Sequence, residues 1–120
     1  MTRRSIPTTH SEALVALNGR TSRVIAHHTR LEALGGGCIG LRLHSTCVVA
    51  FKSDGSIVLS TAGWRTRTTQ DRINRVIRAH GWSVYVSRFE WHIAHRDGRT
   101  FEFEDGFTIE PVADYGTEAA

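Results

Sequence analysis

Nowhere in the chain do apolar residues run for the roughly 18–20 positions that a membrane-spanning helix needs. The opening Met1-Thr-Arg-Arg-Ser-Ile-Pro is basic but lacks the apolar stretch of a signal peptide. Cysteine is scarce: Cys38 and Cys47 are too few for a disulfide-built secreted fold and read as free thiols in a reducing compartment. Lysine is scarcer still. Of the 15 basic residues only Lys52 is a lysine. The rest are arginines, whose planar guanidinium suits phosphate and carboxylate; a GC-rich coding sequence is the plainer source of the same bias. Residues 1–99 carry every Lys and Arg against six acids, while residues 100–120 carry the other six acids and no base. A glycine-rich phosphate loop, a nucleophile elbow and paired catalytic acids are also missing. No motif therefore points to an enzyme, and neither a metal nor another cofactor is expected.

What is present is 120 residues with 40% apolar content, enough for one domain around one core. Residues 1–11 read as a flexible basic arm, 12–110 as a single α+β domain and 111–120 as an acidic disordered tail. That tail is a candidate screen lying across the basic surface. Glu12–Leu17 reads as a short helical turn stopped at Asn18-Gly19, and Arg23–Thr29 as a strand. Gly35-Gly36-Gly37 marks a loop. From there the period is two: Ile39, Leu41, Leu43, Cys47, Val49 and Phe51 share one face, and Gly40, Arg42, His44, Thr46 and Lys52 the other. This is one half-buried strand, or two joined near Ser45.

Three tripeptides end in Asp-Gly: Ser53-Asp54-Gly55, Arg96-Asp97-Gly98 and Glu104-Asp105-Gly106. Asp-Gly between apolar segments signals a hairpin. A two-residue loop at Asp54-Gly55 would set Phe51 against Val58. A three-residue loop sets Phe51 against Ile57 and Val49 against Leu59, all on one face. The same rule sets Ile93 against Phe101 and Trp91 against Phe103, then Phe103 against Phe107 and Phe101 against Ile109. A 46–61 hairpin and an 89–110 three-strand meander follow, with glycine in the left-handed position of each bulged turn.

Between them the sequence predicts the main helix, over about 69–80. Thr68 is its expected N-cap with Asp71 three residues on, Ile73, Val76, Ile77 and His80 form its buried stripe, and Gly81 closes it. Arg72, Arg75 and Arg78 fall on the opposite face, with Asp71 and Arg75 at i,i+4. Trp82–Arg88 is a further strand. Its inward phase passes from Val84 and Val86 to Phe89, Trp91 and Ile93 across a turn near Arg88. The whole is expected to be an antiparallel sheet or small open barrel of about six to eight strands packed by one main helix. An exposed edge strand makes a homodimer one expectation.

The leader Gly63-Trp64-Arg65-Thr66-Arg67-Thr68-Thr69 places an aromatic plane, two arginines and three hydroxyls before a helix N-terminus. That is a chemistry suited to a nucleotide: the base on Trp64, the phosphate on the helix end. The alternative is a capped connection with Trp64 plugging the core. Trp64, Arg65, Thr66, Arg67, Thr68, Arg72, Asn74, Arg75 and Arg78 are the candidate nucleic-acid or anion-binding residues. Among seven histidines, His27 and His28 are expected to point to opposite faces of a strand, as are His92 and His95, and neither spacing is a zinc signature. A composite site of His28, His44, His92 and a cysteine would need tertiary proximity. His44 is the one catalytic candidate, as a general base lacking an identified partner.

Three stretches resemble a known family. They are Leu43-His44-Ser45-Thr46-Cys47-Val48-Val49, Asp54-Gly55-Ser56-Ile57-Val58-Leu59 and Gly63–Asn74. Together they are similar to the core of small proteins of tailed bacteriophages, including phages of actinobacteria. The Arg-rich N-terminal section and the Gly35–Gly37 loop depart from that family's usual start. The resemblance implies an origin rather than an activity: a phage accessory protein in the host cytoplasm. His44, Thr66, Arg72 and Asn74 have no evident structural task, so a shared site is sought there. The leading expectation is a non-enzymatic binder of DNA or RNA. The alternative is a protein–protein module acting on a host or defence factor, and the third is a small His-dependent nuclease or hydrolase.

Overall fold

The structure is a computed structural model that describes residues 6–111. The Thr9 hydroxyl accepts the Glu12 amide and opens helix α1 (His10–Leu17), which ends on Asn18 in the left-handed conformation. The helix thus starts inside the segment expected to be an arm, and Ile6 is already part of the core. Residues 1–5 of that arm and 112–120 of the expected tail lie outside the described residues.

After α1 come β1 (Ser22–Ala26), β2 (Thr29–Gly35), β3 (Cys38–Leu43), β4 (Thr46–Phe51) and β5 (Ile57–Leu59), each antiparallel to the last. Helix α2 (Arg67–Ile77) runs into a 3-10 turn, Arg78–His80, and Gly81 closes it with a left-handed φ of 86°. Strands β6 (Trp82–Ser87), β7 (Glu90–His95) and β8 (Thr100–Glu102) form a second antiparallel sheet. The last strand, β9 (Phe107–Ile109), returns to the first sheet, whose order is β1-β2-β3-β4-β5-β9. The fold is α+β, and among the described residues there are two antiparallel sheets, of six and three strands, and no closed barrel. One cluster of buried side chains joins both helices to both sheets, with Leu31, Leu41, Val49, Phe51, Leu59, Ile73, Ile77 and Ile93 at its centre. No helix among the described residues is long and apolar enough to cross a membrane.

The turn chemistry sets local register as the side chains require. Phe51 stands opposite Ile57 and Val49 opposite Leu59, and Ile93 stands opposite Phe101. Gly55 and Gly98 take the left-handed places, with φ of 96° and 104°. The third Asp-Gly departs from expectation. Asp105 leaves the second sheet and its carboxylate accepts from the amide and hydroxyl of buried Thr61, at 2.8 and 2.9 Å. Phe107 then pairs with Leu59 and Ile109 with Ile57, so the expected third strand of the meander belongs to the other sheet. That choice buries Ile109 against β5, while Phe107 still meets Phe101 and Trp82 across the gap between sheets.

Four smaller differences have local causes. Opposite β3, Val48 is the extra residue of a bulge, so it takes the buried place and Cys47 turns to the Gly40 and Arg42 side. His27 and His28 form the β1–β2 turn rather than a strand, because β2 begins at Thr29. Arg88 and Phe89 both adopt positive φ in the β6–β7 turn, which leaves Phe89 fully exposed and Val86 half exposed instead of inward. Helix α2 starts two residues early because Thr66, not Thr68, is its N-cap.

Candidate functional site

The Thr66 hydroxyl accepts the Thr69 amide at 3.1 Å and meets the Thr69 hydroxyl at 3.0 Å, and the Gln70 amide donates to the Thr66 carbonyl. That cap consumes the amide of the third helical residue. The amides of Arg67 and Thr68 remain at the positive end of the helix, without intrahelical acceptors. Beside this end lies a pocket of about 460 Å³, lined by Leu43, His44, Ser45, Thr46, Trp64, Thr66, Thr68 and Thr69. One wall is thus the β3–β4 turn and the other is the leader into α2. Trp64 is 66% exposed, so it does not plug the core; that part is taken by Trp82 and Trp91.

His44 adopts a left-handed φ of 56° in its turn, and its amide donates to the His28 carbonyl at 2.8 Å. Its ring stacks on that of His28 with centroids 4.5 Å apart, and His28 in turn touches His27. The neighbour of the His44 ring is therefore a second imidazole, in stacking contact. His92 lies in the other sheet, stacked on Tyr85, so the composite with His28 and His44 is not assembled. Among the described residues no group of three or more His, Cys, Asp or Glu side chains is placed to hold a metal. Cys47 is half-buried, and that burial pushes its thiol above the ordinary range.

The arginines differ in their partners. The Arg72 side chain is only 11% exposed. It donates to the Thr29 hydroxyl at 2.9 Å, the His27 carbonyl at 3.3 Å and Asp71 at 2.6 Å, which clamps α2 to the β1–β2 turn. Arg75 shares Asp71 at 3.1 Å, the pair expected at i,i+4. The Arg65 guanidinium lies over the rings of Trp91 and Phe103, and donates to the Phe103 carbonyl at 3.4 Å. Arg67 and Arg78 border a shallow groove with Gln70, Asp71 and Asn74. Asn74 is buried; its amide donates to the Val84 carbonyl at 3.0 Å and its oxygen accepts the Val84 amide at 2.7 Å.

Of the four residues without an evident structural task, three therefore have one: Thr66 caps, Arg72 clamps and Asn74 ties α2 to β6. His44 alone keeps none beyond its own turn. His28, considered only as part of a composite metal site, belongs to this region, and so does Thr69, which was missed. Thr69 read as part of a cap rather than as a wall, and the strand assigned over His27 and His28 hid the turn that sets His28 against His44.

A family model described as "Kyanoviridae Gp96 protein" matches residues 6–110. The matched span includes α1 and the Gly35–Gly37 turn, the sections expected to depart from a phage family. No curated protein and no solved structure matches the chain.

Proposed function

The chain belongs to this phage protein family, and on that premise we propose that it is an accessory protein of the infected host cytoplasm that binds single-stranded nucleic acid one nucleotide at a time. The observation that carries the reading is the exposed Trp64 standing over a pocket at the start of α2. Its volume suits one base, which a duplex would not release into it without unpairing. Trp64 supplies the stacking face. The amides of Arg67 and Thr68 and the Arg67 side chain supply the anion contacts. Two of the three stretches that carry the phage resemblance, around Leu43–Thr46 and Gly63–Thr69, meet at this pocket, which supports a shared use.

Fluorescence anisotropy with labelled single-stranded DNA, RNA and duplex, titrated with salt, tests the reading. Single strands are expected to bind more tightly than duplex and to weaken as salt rises through counterion release. Because Trp82 and Trp91 are buried, quenching of intrinsic fluorescence should come mainly from Trp64. An absence of binding at about 10 micromolar protein in low salt would sink it.

A protein–protein module is the second reading, favoured by the fully exposed Phe89 at the tip of the β6–β7 hairpin, whose strand β6 also carries the part-exposed Tyr85 and Val86. Capture of a host protein that survives nuclease treatment and is lost in Phe89→Asp is its expected signature.

A further inference from the structure

We propose that His27, His28 and His44, set against Arg72, form a proton-linked oxyanion site that receives a phosphate of the nucleotide whose base stacks on Trp64. The ligand named here rests on the nucleotide-binding reading above; the oxyanion chemistry does not.

The site is built by topology. Strands β2 and β3 are neighbours, with Thr29 opposite Leu43, so the β1–β2 and β3–β4 turns emerge at the same end of the sheet. The 2.8 Å bond from the His44 amide to the His28 carbonyl ties them together. His28 and His44 both hold left-handed backbones, with φ of 53° and 56°. Residues with a Cβ seldom adopt that conformation, and histidine does so more often than most. The two rings stack with an interplanar angle of 29°, and His27 packs on the first at 3.8 Å. Two imidazoles held together this way can each, when protonated, donate to a different oxygen of one anion.

The charge balance favours the same ligand. His28 is faced by His27 from its own turn, by His44 from the β3–β4 turn and by Arg72 from α2. Arg72 is fixed by Thr29, the His27 carbonyl and Asp71, and Asp71 is shared with Arg75. On the far side Arg42 donates to the Ser45 carbonyl at 2.8 Å and is paired with Glu32. His27 first, then burial, His44 and Arg72 hold the His28 imidazole below its ordinary range. In the free protein His28 therefore sheds its proton the more readily; an oxyanion accepting from a protonated ring reverses the balance. His44 also lines the Trp64 pocket, which places the anion beside the base.

The test follows the histidine ring resonances against pH by NMR, in chloride and in sulfate at equal ionic strength, sulfate being a dianion throughout the range. In parallel, anisotropy measures oligothymidylate affinity, whose bases do not titrate there. Sulfate is expected to raise the pKa of His28 and to shift the ring resonances of His44. A rise of about one unit at a single histidine corresponds to about fivefold tighter binding of oligothymidylate at about pH 5.5 than at about pH 7.5. His28→Asn and His44→Asn keep a residue at ease in the left-handed turn while removing the ring, and each should flatten that pH gradient. Histidines unmoved by sulfate overturn the site whatever the oligonucleotide does. A flat affinity profile for a bound oligonucleotide also overturns it. A sulfate response without any oligonucleotide binding upholds the oxyanion site and removes the nucleic-acid reading instead.

Discussion

From Thr69 to Ile77, helix α2 is held on two sides. Asn74 meets both backbone groups of Val84, Gln70 reaches the same carbonyl, and Ile73, Val76 and Ile77 are buried. A few residues earlier, between Gly63 and Thr68, the chain is exposed throughout, and its largest side chain stands in solvent. The two stretches are contiguous and similarly polar in composition, so polarity alone does not separate scaffold from surface. What separates them is partnering: every buried side-chain nitrogen and oxygen among the described residues has a hydrogen bond. The exposed leader instead gathers an indole, hydroxyls and helix amides around an open pocket.

The sharpest way to break this contrast is Asn74→Ala. It strands the Val84 amide in the interior and leaves its carbonyl to Gln70 alone. An unsatisfied buried group costs about 1–3 kcal/mol, and the lost bonds add to that, so chemical denaturation should show a loss of about 2–4 kcal/mol. Next is Gly40→Ala on the sheet beneath. The new methyl would sit 2.8 Å from Cys47 Sγ and 3.1 and 3.2 Å from the Leu34 methyls. Overpacking of this kind costs about 1–3 kcal/mol, and the double variant with Cys47→Ala should recover part of it. Trp64→Ala probes the other region: stability should stay within about 0.5 kcal/mol of the parent. Single-strand affinity should weaken by about 1–3 kcal/mol, the worth of one stacked base. A stability loss as large as that of Asn74→Ala would erase the distinction between the two stretches.

The smallest effect concerns pH. His28 has its pKa lowered in the folded chain, so the unfolded chain binds the proton more readily. Its contribution to stability is therefore complete above the ordinary histidine pKa of 6.5 and is lost as pH falls through the lowered value. Melting temperature should decline modestly on acidification through that range, and His28→Asn should remove part of the decline.

Much of the local architecture was legible in the sequence. Alternation and Asp-Gly turns fix which residues face each other within a hairpin, and Phe51 with Ile57 and Ile93 with Phe101 follow from that alone. The partner of β9 was not legible. A turn sets the register of a strand with its neighbour in sequence but not the sheet it joins, and that was decided by Asp105 bonding to Thr61 from 44 residues away. The candidate site divides in the same way. The leader and His44 could be read because turns and caps are local. That Arg72 and Asn74 serve the scaffold depends on the Thr29 hydroxyl and the Val84 backbone, which no pattern on the helix itself reveals. The arginine stripe divides for a related reason: Arg72 and Arg78 look alike in the sequence, yet Arg72 reaches the β1–β2 turn and clamps it.

The return of β9 to β5 also sets an order of assembly. Everything from α2 to β8 is an excursion between two adjacent strands, so their ladder closes a long loop. Such closure costs chain entropy that three paired residues on a short edge repay only once the excursion has packed. Amide exchange should accordingly be fastest at Phe107–Ile109 among the strands of the first sheet, and opening there bares the β5 edge to any passing strand. The link between Asp105 and Thr61 is thus a latch on the whole excursion. It keeps an insertion that carries the Trp64 pocket at its start from peeling away at its end.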